Sequence, residues 1–305
     1  MIIVFGSNVY DIFFHVTDLP EKDQALFLDT HAQAPGGKGQ NQAVAAAIAG
    51  ASVKFFGAVG QGAHARALLK NLEDRDIDTS GVEKCDHPTG VAAIFVDPDG
   101  THKVVVSKGA NLHVSQKTIS DAHLDDKTTV ILQGELPMGE TEALIHRAKA
   151  KGARTLMNLA PYHFISEEAL QNLDYIILNE YEADALAKQL DMSSFNKEAF
   201  AKDLAIRFDL ACIVTLGGNG SVCSDGEKSM LVSALNIRPI DTIGAGDAYT
   251  GYFAAALDMG QSLEDALKWG AVAGSLACTK IGAQEALPLE NEVAARIKEI
   301  VIRSS

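Results

Sequence analysis

The chain has 305 residues, of which 47% are hydrophobic and 22% charged, with a formal net charge of −14 and a pI of about 5.0. This composition is typical of a globular protein with one large domain or two smaller ones, and the negative charge argues against nucleic acid or a membrane surface as a partner. Four cysteines without CxxC spacing predict a reduced protein of the cytoplasm rather than a disulfide framework.

Short apolar segments that predict buried strands alternate with segments whose apolar residues recur at helical spacing. No apolar run is long enough to span a bilayer. The alternation favours a mostly parallel sheet that is covered by helices on both faces. The predicted strands are Ile2–Phe5, Thr129–Gln133, Thr155–Asn158, Tyr175–Leu178, Cys212–Leu216 and Asn236–Ile240. The predicted helices are Asn41–Ala49, Ala248–Asp258 and Ser262–Cys278.

The segment after the first strand carries two candidate ligand-binding features. Asp11 could accept two sugar hydroxyls side by side, or it could be a solvated loop acid. The loop Pro35–Gln42 contains three glycines, which let a ligand lie close to backbone amides. Within this loop, Lys38 could meet a phosphate, and Asn41 could either bond a hydroxyl or be the N-cap of the next helix. The loop lacks the GxxxxGK[ST] pattern of a Walker A motif.

A small β element interrupts the alternation of strands and helices. Val91–Val96 and Thr101–Ser107 flank Asp97–Gly100, whose Asp-Pro-Asp-Gly sequence predicts a hairpin turn. Phe13–Thr17 and Ala25–Ala34 are also predicted to be extended. Together they form either two extra edge strands or a lid over a small-molecule site. Exposed strand edges of this kind are often covered by a second subunit.

Three polar segments follow predicted strands at their carboxyl ends, where open α/β sheets bind ligands. Glu135 is the first, and it is either a ligand contact or a loop acid. Asn179 and Glu182 could form a capping box. Alternatively, Asn179 could face a nucleotide and Glu182 could hold the water shell of Mg²⁺. The turn Thr215–Gly220 either leads tightly into a hairpin or cradles ATP phosphates with its backbone amides.

The most informative segment is Asp241–Asp247, which reads Asp-Thr-Ile-Gly-Ala-Gly-Asp. Its glycines let backbone N–H groups converge on one point, towards which the positive end of the following helix is also directed. These features predict an anion hole with the carboxylate of Asp247 beside it. Phosphoryl transfer to a hydroxyl requires both parts, because the migrating charge needs donors and the hydroxyl proton needs an acceptor. The alternative is an acid that only complements the helix dipole.

Taken in this order, these segments resemble the PfkB family of sugar and nucleoside kinases from about Ile2 to Pro288. The most specific parts are Gly36–Gly39 with Asn41–Ala43, and Asp241–Asp247. The resemblance implies a ribokinase-like three-layer α/β fold in a single domain over residues 1–305, with a β lid from about 12–34 and 89–108. It also implies an ATP-dependent kinase that phosphorylates a primary hydroxyl of a small sugar, with ribose as the leading candidate. The exposed strand edges of the lid predict a homodimer formed through the lid.

The same resemblance assigns roles to individual residues. The catalytic base would be Asp247, beside an anion hole made by the amides of Gly244, Ala245 and Gly246. The sugar would be held by Asp11, Gly37, Lys38, Asn41 and Glu135. ATP would be contacted by Asn179, Thr215, Gly217 and Gly220, and Mg²⁺ would be held through water by Glu182. An activating K⁺ would be bound by Asp241 and by the backbone carbonyls of Ile243, Ala277, Lys280 and Gly282.

Two positions depart from the family pattern. Ribokinase-like members read G-S-x-N-x-D after the first strand, whereas here Val9 stands where the sugar-binding Asn is expected and Asn8 comes one place early. Valine cannot bond a hydroxyl, and the loss of one polar contact shifts substrate preference by about 1–3 kcal/mol. The turn Gly60–His64 lacks the acid that is common there in the family, and we expect this departure to affect the loop structure or the substrate rim rather than the chemistry.

Two other functions stay open for this sequence. One is a nucleoside kinase, because Val9 and Tyr10 would suit an apolar base better than a hydroxyl. The other is a non-catalytic sugar-binding regulator, against which the intact Asp247 argues. An NAD-dependent dehydrogenase is disfavoured, since no GxGxxG fingerprint follows the first strand.

Overall fold

The chain folds into two β-sheets and surrounding helices, described over residues 1–97 and 102–304 of a computed structural model. The strands are β1 (Ile2–Phe5), β2 (Val9–His15), β3 (Ala32–Gly36), β4 (Val53–Val59), β5 (Asp78–Lys84), β6 (Gly90–Val96), β7 (His102–Ser107), β8 (Thr129–Gln133), β9 (Arg154–Asn158), β10 (Tyr175–Asn179), β11 (Ala211–Thr215), β12 (Ser221–Ser224), β13 (Ser229–Val232) and β14 (Ile302–Ser304). The α-helices are α1 (Lys38–Ile48), α2 (Ala63–Glu73), α3 (Met138–Ala150), α4 (Glu167–Leu170), α5 (Glu180–Gln189), α6 (Lys197–Phe208), α7 (Ala245–Asp258), α8 (Leu263–Ala277) and α9 (Glu290–Arg296). None of the helices in these two ranges combines the length and apolar character that a membrane span requires.

The larger sheet has the strand order β14-β13-β12-β11-β10-β9-β8-β1-β4-β5. The strands from β11 to β5 in this order are parallel to one another, and β12, β13 and β14 extend the sheet in antiparallel pairs. Because β1 pairs with β4 on one side and β8 on the other, Ile2 lies beside both Val53 and Thr129. The predicted mostly parallel sheet is therefore confirmed.

The side chains of β1 show how the sheet separates two apolar cores. Ile2 and Val4 belong to the core that includes α1, α7 and α8, whereas Ile3 and Phe5 belong to the core that includes α3, α5 and α6. Successive residues of a strand point to opposite faces, so a strand buried on both faces is apolar throughout. The helix–sheet–helix arrangement confirms the predicted three-layer α/β fold.

The smaller sheet, called the lid below, has the order β3-β2-β6-β7. Residues 6–8 connect β1 directly to β2, so the lid starts at the carboxyl end of a central strand. Pairing of β6 with β7, with Val91 opposite Ser107, confirms the predicted hairpin. Its predicted turn lies outside the described residues, except for Asp97.

The bounds of the lid strands differ from the prediction. β2 covers Val9–His15 rather than Phe13–Thr17, and β3 covers Ala32–Gly36 rather than Ala25–Ala34. The segment before β3 is a loop in which the Phe27 side chain is exposed. Since β2 starts early, Asp11 belongs to a strand and not to a loop.

The predicted strand Asn236–Ile240 is wrong, because this segment is irregular. Pro239 has no N–H to contribute to a sheet ladder. The N–H groups of Ile240 and Asp241 both donate to the carbonyl of Cys278, at 2.7 and 3.3 Å. Cys278 immediately follows α8, so the approach to α7 is held by the end of a helix instead of a neighbouring strand.

Candidate active site

A cavity of about 560 Å³ is lined by residues of both the lid and the carboxyl edge of the large sheet. The lid contributes an apolar wall made of Val9, Ala92, Ile94, Val104 and Val106. The polar and charged lining comprises Asp11, Lys38, Asn41, Glu135, Asn158, Asn179, Glu182, Thr215, Thr242 and Asp247. A cavity with one apolar wall and several convergent polar groups suits a small polyhydroxylated ligand.

Asp247 lies in the first turn of α7, which starts at Ala245 rather than at the predicted Ala248. It is 4% exposed. Its Oδ2 accepts a hydrogen bond of 3.1 Å from Asn41 Nδ2, and its Oδ1 accepts one of 2.9 Å from Gln42 Nε2. Each carboxylate oxygen keeps a second lone pair, so Asp247 can still accept a hydroxyl proton from the cavity.

The turn before α7 holds the residues of the predicted anion hole, and within it the Ala245 N–H donates to the Thr242 carbonyl at 3.3 Å. Gly244 is the N-cap with a φ of 75°, a value that favours glycine. A Cβ at Gly246 would meet nothing within 4 Å, which leaves open space at this end of the helix. The first N–H groups of a helix lack intrahelical partners and attract anions. The roles of Gly244, Ala245 and Gly246 stay predictions.

The glycine-rich loop is tied to the end of β8 by a carboxylate. α1 starts at Lys38 with Gly37 as N-cap, so Asn41 lies inside the first turn and the N-cap alternative for it is wrong. Glu135 Oε2 accepts a hydrogen bond of 2.8 Å from the Lys38 N–H and another from the hydroxyl of Ser7. Glu135 therefore fixes the start of α1 as well as lining the cavity.

The charges in the cavity perturb one another strongly. The pKa of Lys38 is raised chiefly by the negative charge of Asp247. Burial opposes this rise, and the charges of Glu135 and Glu182 add to it. Lys38 is therefore a firmly protonated cation in an otherwise acidic cavity.

The surroundings of Asp11 disfavour its charged form, whereas those of Lys38 favour its charged form. Burial raises the pKa of Asp11 to about 7, and the negative charges of Glu135, Glu285 and Asp247 add to this effect. Gly36 in the paired strand makes room for the carboxyl group, because a Cβ there would lie 2.0 Å from Asp11 Oδ2. Asp11 consequently changes charge near neutral pH, where donated hydroxyls from a ligand would favour its ionised form.

A second cavity, of about 470 Å³, adjoins the first. Its lining includes Gly217, Gly218 and Gly220 from the turn between β11 and β12, which pair as the predicted tight hairpin. Thr215, Thr242 and Gly246 line both cavities. The N-terminal end of α7 is therefore the boundary between two adjacent binding spaces.

Asn179 and Glu182 form the capping box that the sequence allowed for them. Glu182 N–H donates to Asn179 Oδ1, and Asn179 N–H donates to Glu182 Oε2, both at 2.8 Å. Burial raises the pKa of Glu182, while the N–H of Asn179 and the charge of Lys38 lower it. Both residues also line the first cavity, so capping does not remove them from a ligand's reach.

Asp241 joins the two loops that flank α7 and α8. Its Oδ1 accepts the Ile243 N–H and its Oδ2 accepts the Gly282 N–H, each at 3.0 Å. Ala277 is the last residue of α8, so its carbonyl is one of those at the helix end that lack an intrahelical partner. The structure thus brings several of the predicted cation ligands to one junction.

The predicted site residues divide between the two cavities. The predicted sugar-binding residues that line the first cavity are Asp11, Gly37, Lys38, Asn41 and Glu135. Of the predicted nucleotide-binding residues, Gly217 and Gly220 line the second cavity, Thr215 lines both, and Asn179 lines the first.

Sequence reasoning missed three amide side chains that surround these residues. Gln42 bonds Asp247, Gln284 Nε2 donates to Asn41 Oδ1 at 3.0 Å, and Asn158 lines the first cavity. Asn158 ends β9 at the carboxyl edge of the sheet, which is the same signal that identified Glu135. For Gln42 and Gln284 the sequence carries no such signal, because their partners are distant in the chain.

Comparison with known protein families matches residues 1–290 to the pfkB family carbohydrate kinases. A ribokinase of Lactococcus lactis is 32% identical over 302 residues, which cover 98% of this chain and 97% of that protein. A deoxyribokinase of Salmonella typhi is 30% identical over 291 residues, which cover 94% of this chain and 95% of that protein.

Solved structures show the same relationship. A ribokinase from Thermotoga maritima superimposes with a TM-score of 0.91 at 30% identity, covering 97% of this chain and 99% of that one. An Arabidopsis thaliana ribokinase complexed with ribose and ATP superimposes with a TM-score of 0.87 at 28% identity, covering 97% and 98% of the two chains. The fold, including the lid, is thus shared over nearly the full length.

Proposed function

Because this chain belongs to the pfkB family of carbohydrate kinases, we propose that it transfers the γ-phosphoryl group of ATP to a primary hydroxyl of a small sugar, with ribose as the leading acceptor. Relatives named ribokinase support this choice over nearly the whole chain. The ribose and ATP in one related structure support the pairing of these two substrates.

One observation carries the proposal, namely that the two cavities meet at Gly246 while the next residue, Asp247, lines the first of them. A sugar in the first cavity and a nucleotide in the second would approach each other across the start of α7. Holding both reactants in this way converts a bimolecular step into an effectively unimolecular one.

In the proposed reaction, Asp247 orients the acceptor hydroxyl and receives its proton as the oxygen attacks the γ-phosphorus. The bond from that phosphorus to the bridging oxygen breaks, and ADP leaves. The N–H groups of Gly244, Ala245 and Gly246 stabilise the charge on the migrating group. Lys38 adds a positive charge on the sugar side, and the lid excludes water that would otherwise compete as acceptor.

The second cavity suits an adenine nucleotide. Leu235, Ile237 and Tyr249 give it an apolar wall for a flat base. Phosphates would be met by the N–H groups of Gly217 and Gly218, since that of Gly220 already donates to the Gly217 carbonyl at 3.1 Å. Thr215 lines both cavities, and Asn179 lines the first cavity, so both residues lie on the side of the nucleotide that would face the acceptor.

Mg²⁺ and K⁺ fit the oxygen atoms around the site. Glu182 would hold Mg²⁺ through water, and the ion would neutralise phosphate charge. K⁺ would be bound by Asp241 and the carbonyls of Ile243, Ala277, Lys280 and Gly282. Each Asp241 oxygen accepts one N–H and keeps a lone pair for a cation, and the end of α8 carries a partial negative charge.

A deoxypentose is a second candidate acceptor. Val9 lines the first cavity, and Asn8 does not replace the missing amide there, because Asn8 Oδ1 accepts a hydrogen bond of 2.9 Å from Gln40 Nε2. The main-chain N–H and carbonyl of Asn8 both bond Asn111. An apolar group at this point favours a sugar that lacks one hydroxyl, and one relative is named deoxyribokinase.

We also infer a homodimer in the cytoplasm, formed through the lid. The edge strand β7 exposes Val105, which does not line the cavity, at 67%, and the loop before β3 exposes Phe27 at 91%. Edge strands and apolar patches of this kind are usually covered by a partner. All four cysteines are free thiols, which supports a reducing environment.

ADP release with Mg·ATP tests the proposal across ribose, 2-deoxyribose, other pentoses, hexoses, fructose phosphates and nucleosides, each with K⁺ or with a large organic cation. Fastest turnover on ribose is the expected result. Turnover on 2-deoxyribose alone would select the second candidate. No acceptor-dependent ADP release from a folded, ATP-binding protein would contradict the kinase proposal.

A further inference from the structure

A chain of amide side chains lies behind the carboxylate of Asp247. Gln42 is 0% exposed, and its Nε2 donates to Asp247 Oδ1 and to Asn158 Oδ1, both at 2.9 Å. Gln42 Oε1 accepts a hydrogen bond of 2.9 Å from Gln133 Nε2. Every hydrogen-bonding position that the Gln42 amide uses is thus directed at a buried partner.

The backbone sets the direction of this chain. Asn158 Nδ2 donates to the Ile177 carbonyl at 3.2 Å, and a carbonyl can only accept. The Asn158 oxygen must therefore face Gln42, and only the NH₂ group of Gln42 can meet it. Since Gln133 donates to the Gln42 oxygen, the second N–H of Gln42 is left for Asp247.

We propose that Gln42 is a positioning residue for phosphoryl transfer. It holds Asp247 Oδ1 while Asn41 holds Oδ2, so the plane of the carboxylate is fixed by one donor on each oxygen. Without Gln42, the carboxylate would be free to turn towards the charge of Lys38, whose pKa Asp247 already raises. This inference rests on the proposed role of Asp247 as the base.

Gln42→Met tests the donor directly, because methionine has a similar length and no N–H to offer. We expect kcat to fall about 10- to 100-fold, as for other small misplacements of a reacting group. KM for the acceptor and the dissociation constant for ATP should change little, since Gln42 lies behind the cavity. Gln189→Met is the matched control, because Gln189 bonds Tyr162 and Ile165 at the end of α5.

Gln42→Glu keeps the shape and gives a readout that packing alone would not. Two carboxyl groups in contact share a proton, and the single O–H of the protonated new carboxyl would donate to Asp247, while Asn158 Oδ1 loses its donor. We expect its activity relative to wild type to be highest at low pH and to fall as pH rises. Lys38, Asp11 and Glu182 also act on Asp247 electrostatically, but they are common to both proteins.

Normal kcat for Gln42→Met, or a pH profile of Gln42→Glu that follows wild type, would overturn the inference. If Gln42→Met does not fold, the profile of Gln42→Glu decides. Asp247→Asn is assayed alongside them. Near-normal turnover of that variant would overturn the proposed function itself, whereas an inactive Asp247→Asn beside a fully active Gln42→Met would overturn the role of Gln42 alone.

Discussion

Asn41 Nδ2 donates a hydrogen bond of 3.1 Å to Asp247 Oδ2, although the two residues are 206 positions apart in the chain. Helices α1 and α7, which carry them, pack so closely that a Cβ at Gly251 would lie 2.5 Å from the Ala45 Cβ. The contact joins the glycine-rich loop, proposed to bind the sugar, to the proposed base. Movement of either helix would therefore disturb both.

Asp247→Asn should lower kcat at least about a hundredfold, because the amide cannot take the hydroxyl proton. ATP binding, measured by calorimetry, should change little. Asp258→Asn is the control, since Asp258 ends the same helix and pairs with the N-terminal ammonium at 2.8 Å. Turnover of Asp247→Asn close to that of the control would contradict the assignment of the base.

Acceptor binding should depend on the ionisation of Asp11, whose pKa is raised to about 7. The ionised carboxylate accepts hydroxyl hydrogen bonds, so kcat/KM for the sugar should decline as pH falls below about 7 while saturating kcat declines less. Steady-state kinetics over a range of pH measures this. A KM that is the same well above and well below pH 7 would exclude the role.

The carboxyl group of Asp11 should also make the free energy of unfolding decrease as pH rises. Unfolded Asp11 ionises near its ordinary value of 3.8, so between that pH and about 7 the folded protein holds a proton that the unfolded chain releases. This contribution is complete below 3.8 and is lost as pH rises through about 7. The side chain of Asp11→Asn stays neutral at every pH. The urea midpoint of this variant, measured relative to that of wild type, should therefore increase from acid to alkaline pH. A constant difference would argue against the shift.

Val9→Asn should move acceptor preference towards ribose over 2-deoxyribose. An amide at this position can bond a hydroxyl that Val9 cannot, and such a contact is worth about 1–3 kcal/mol, or roughly 5- to 150-fold in relative kcat/KM. The ratio of the two kcat/KM values is its own control against general loss of activity. An unchanged ratio would mean that residue 9 does not face the distinguishing hydroxyl.

Asp241→Ala should abolish the response to K⁺ and reduce turnover about tenfold, since the loop before α7 loses its tie to Gly282 and shifts the anion hole. Initial rates are compared in KCl and in tetramethylammonium chloride at equal ionic strength. A variant that is still accelerated by K⁺ to the wild-type extent would rule out Asp241 as a ligand.

Charges placed on the lid edge should separate the inferred dimer. Val105→Lys puts a cation on an edge valine that is 67% exposed, which disfavours strand-to-strand association. Light scattering after gel filtration should give the dimer mass for wild type and the monomer mass for the variant. A monomeric wild type would refute the dimer.

The sequence located many of the cavity residues because their signals are local. Strand ends predicted Glu135 and Asn179, and glycine turns predicted Gly37 and Gly246, since a parallel sheet gathers its carboxyl ends along one edge. The predicted strand at Asn236–Ile240 failed because the N–H of Ile240 bonds the carbonyl of Cys278, at a helix end 38 residues later, instead of a neighbouring strand. The pattern of apolar residues within the segment cannot predict a hydrogen-bond partner that lies so far along the chain.

By itself, the sequence determined the layered α/β fold, the glycine turns before α1 and α7, and the acid at the start of α7. These follow from apolar periodicity and from the backbone freedom of glycine, which act over a few residues. Only the tertiary structure decided that Asn41 and Gln42 hold the two oxygens of Asp247, that Asn8 is turned away from the cavity, and that Asp11 is half-buried beside other acids. Hydrogen-bond direction and desolvation depend on groups that are neighbours in space and remote in the chain.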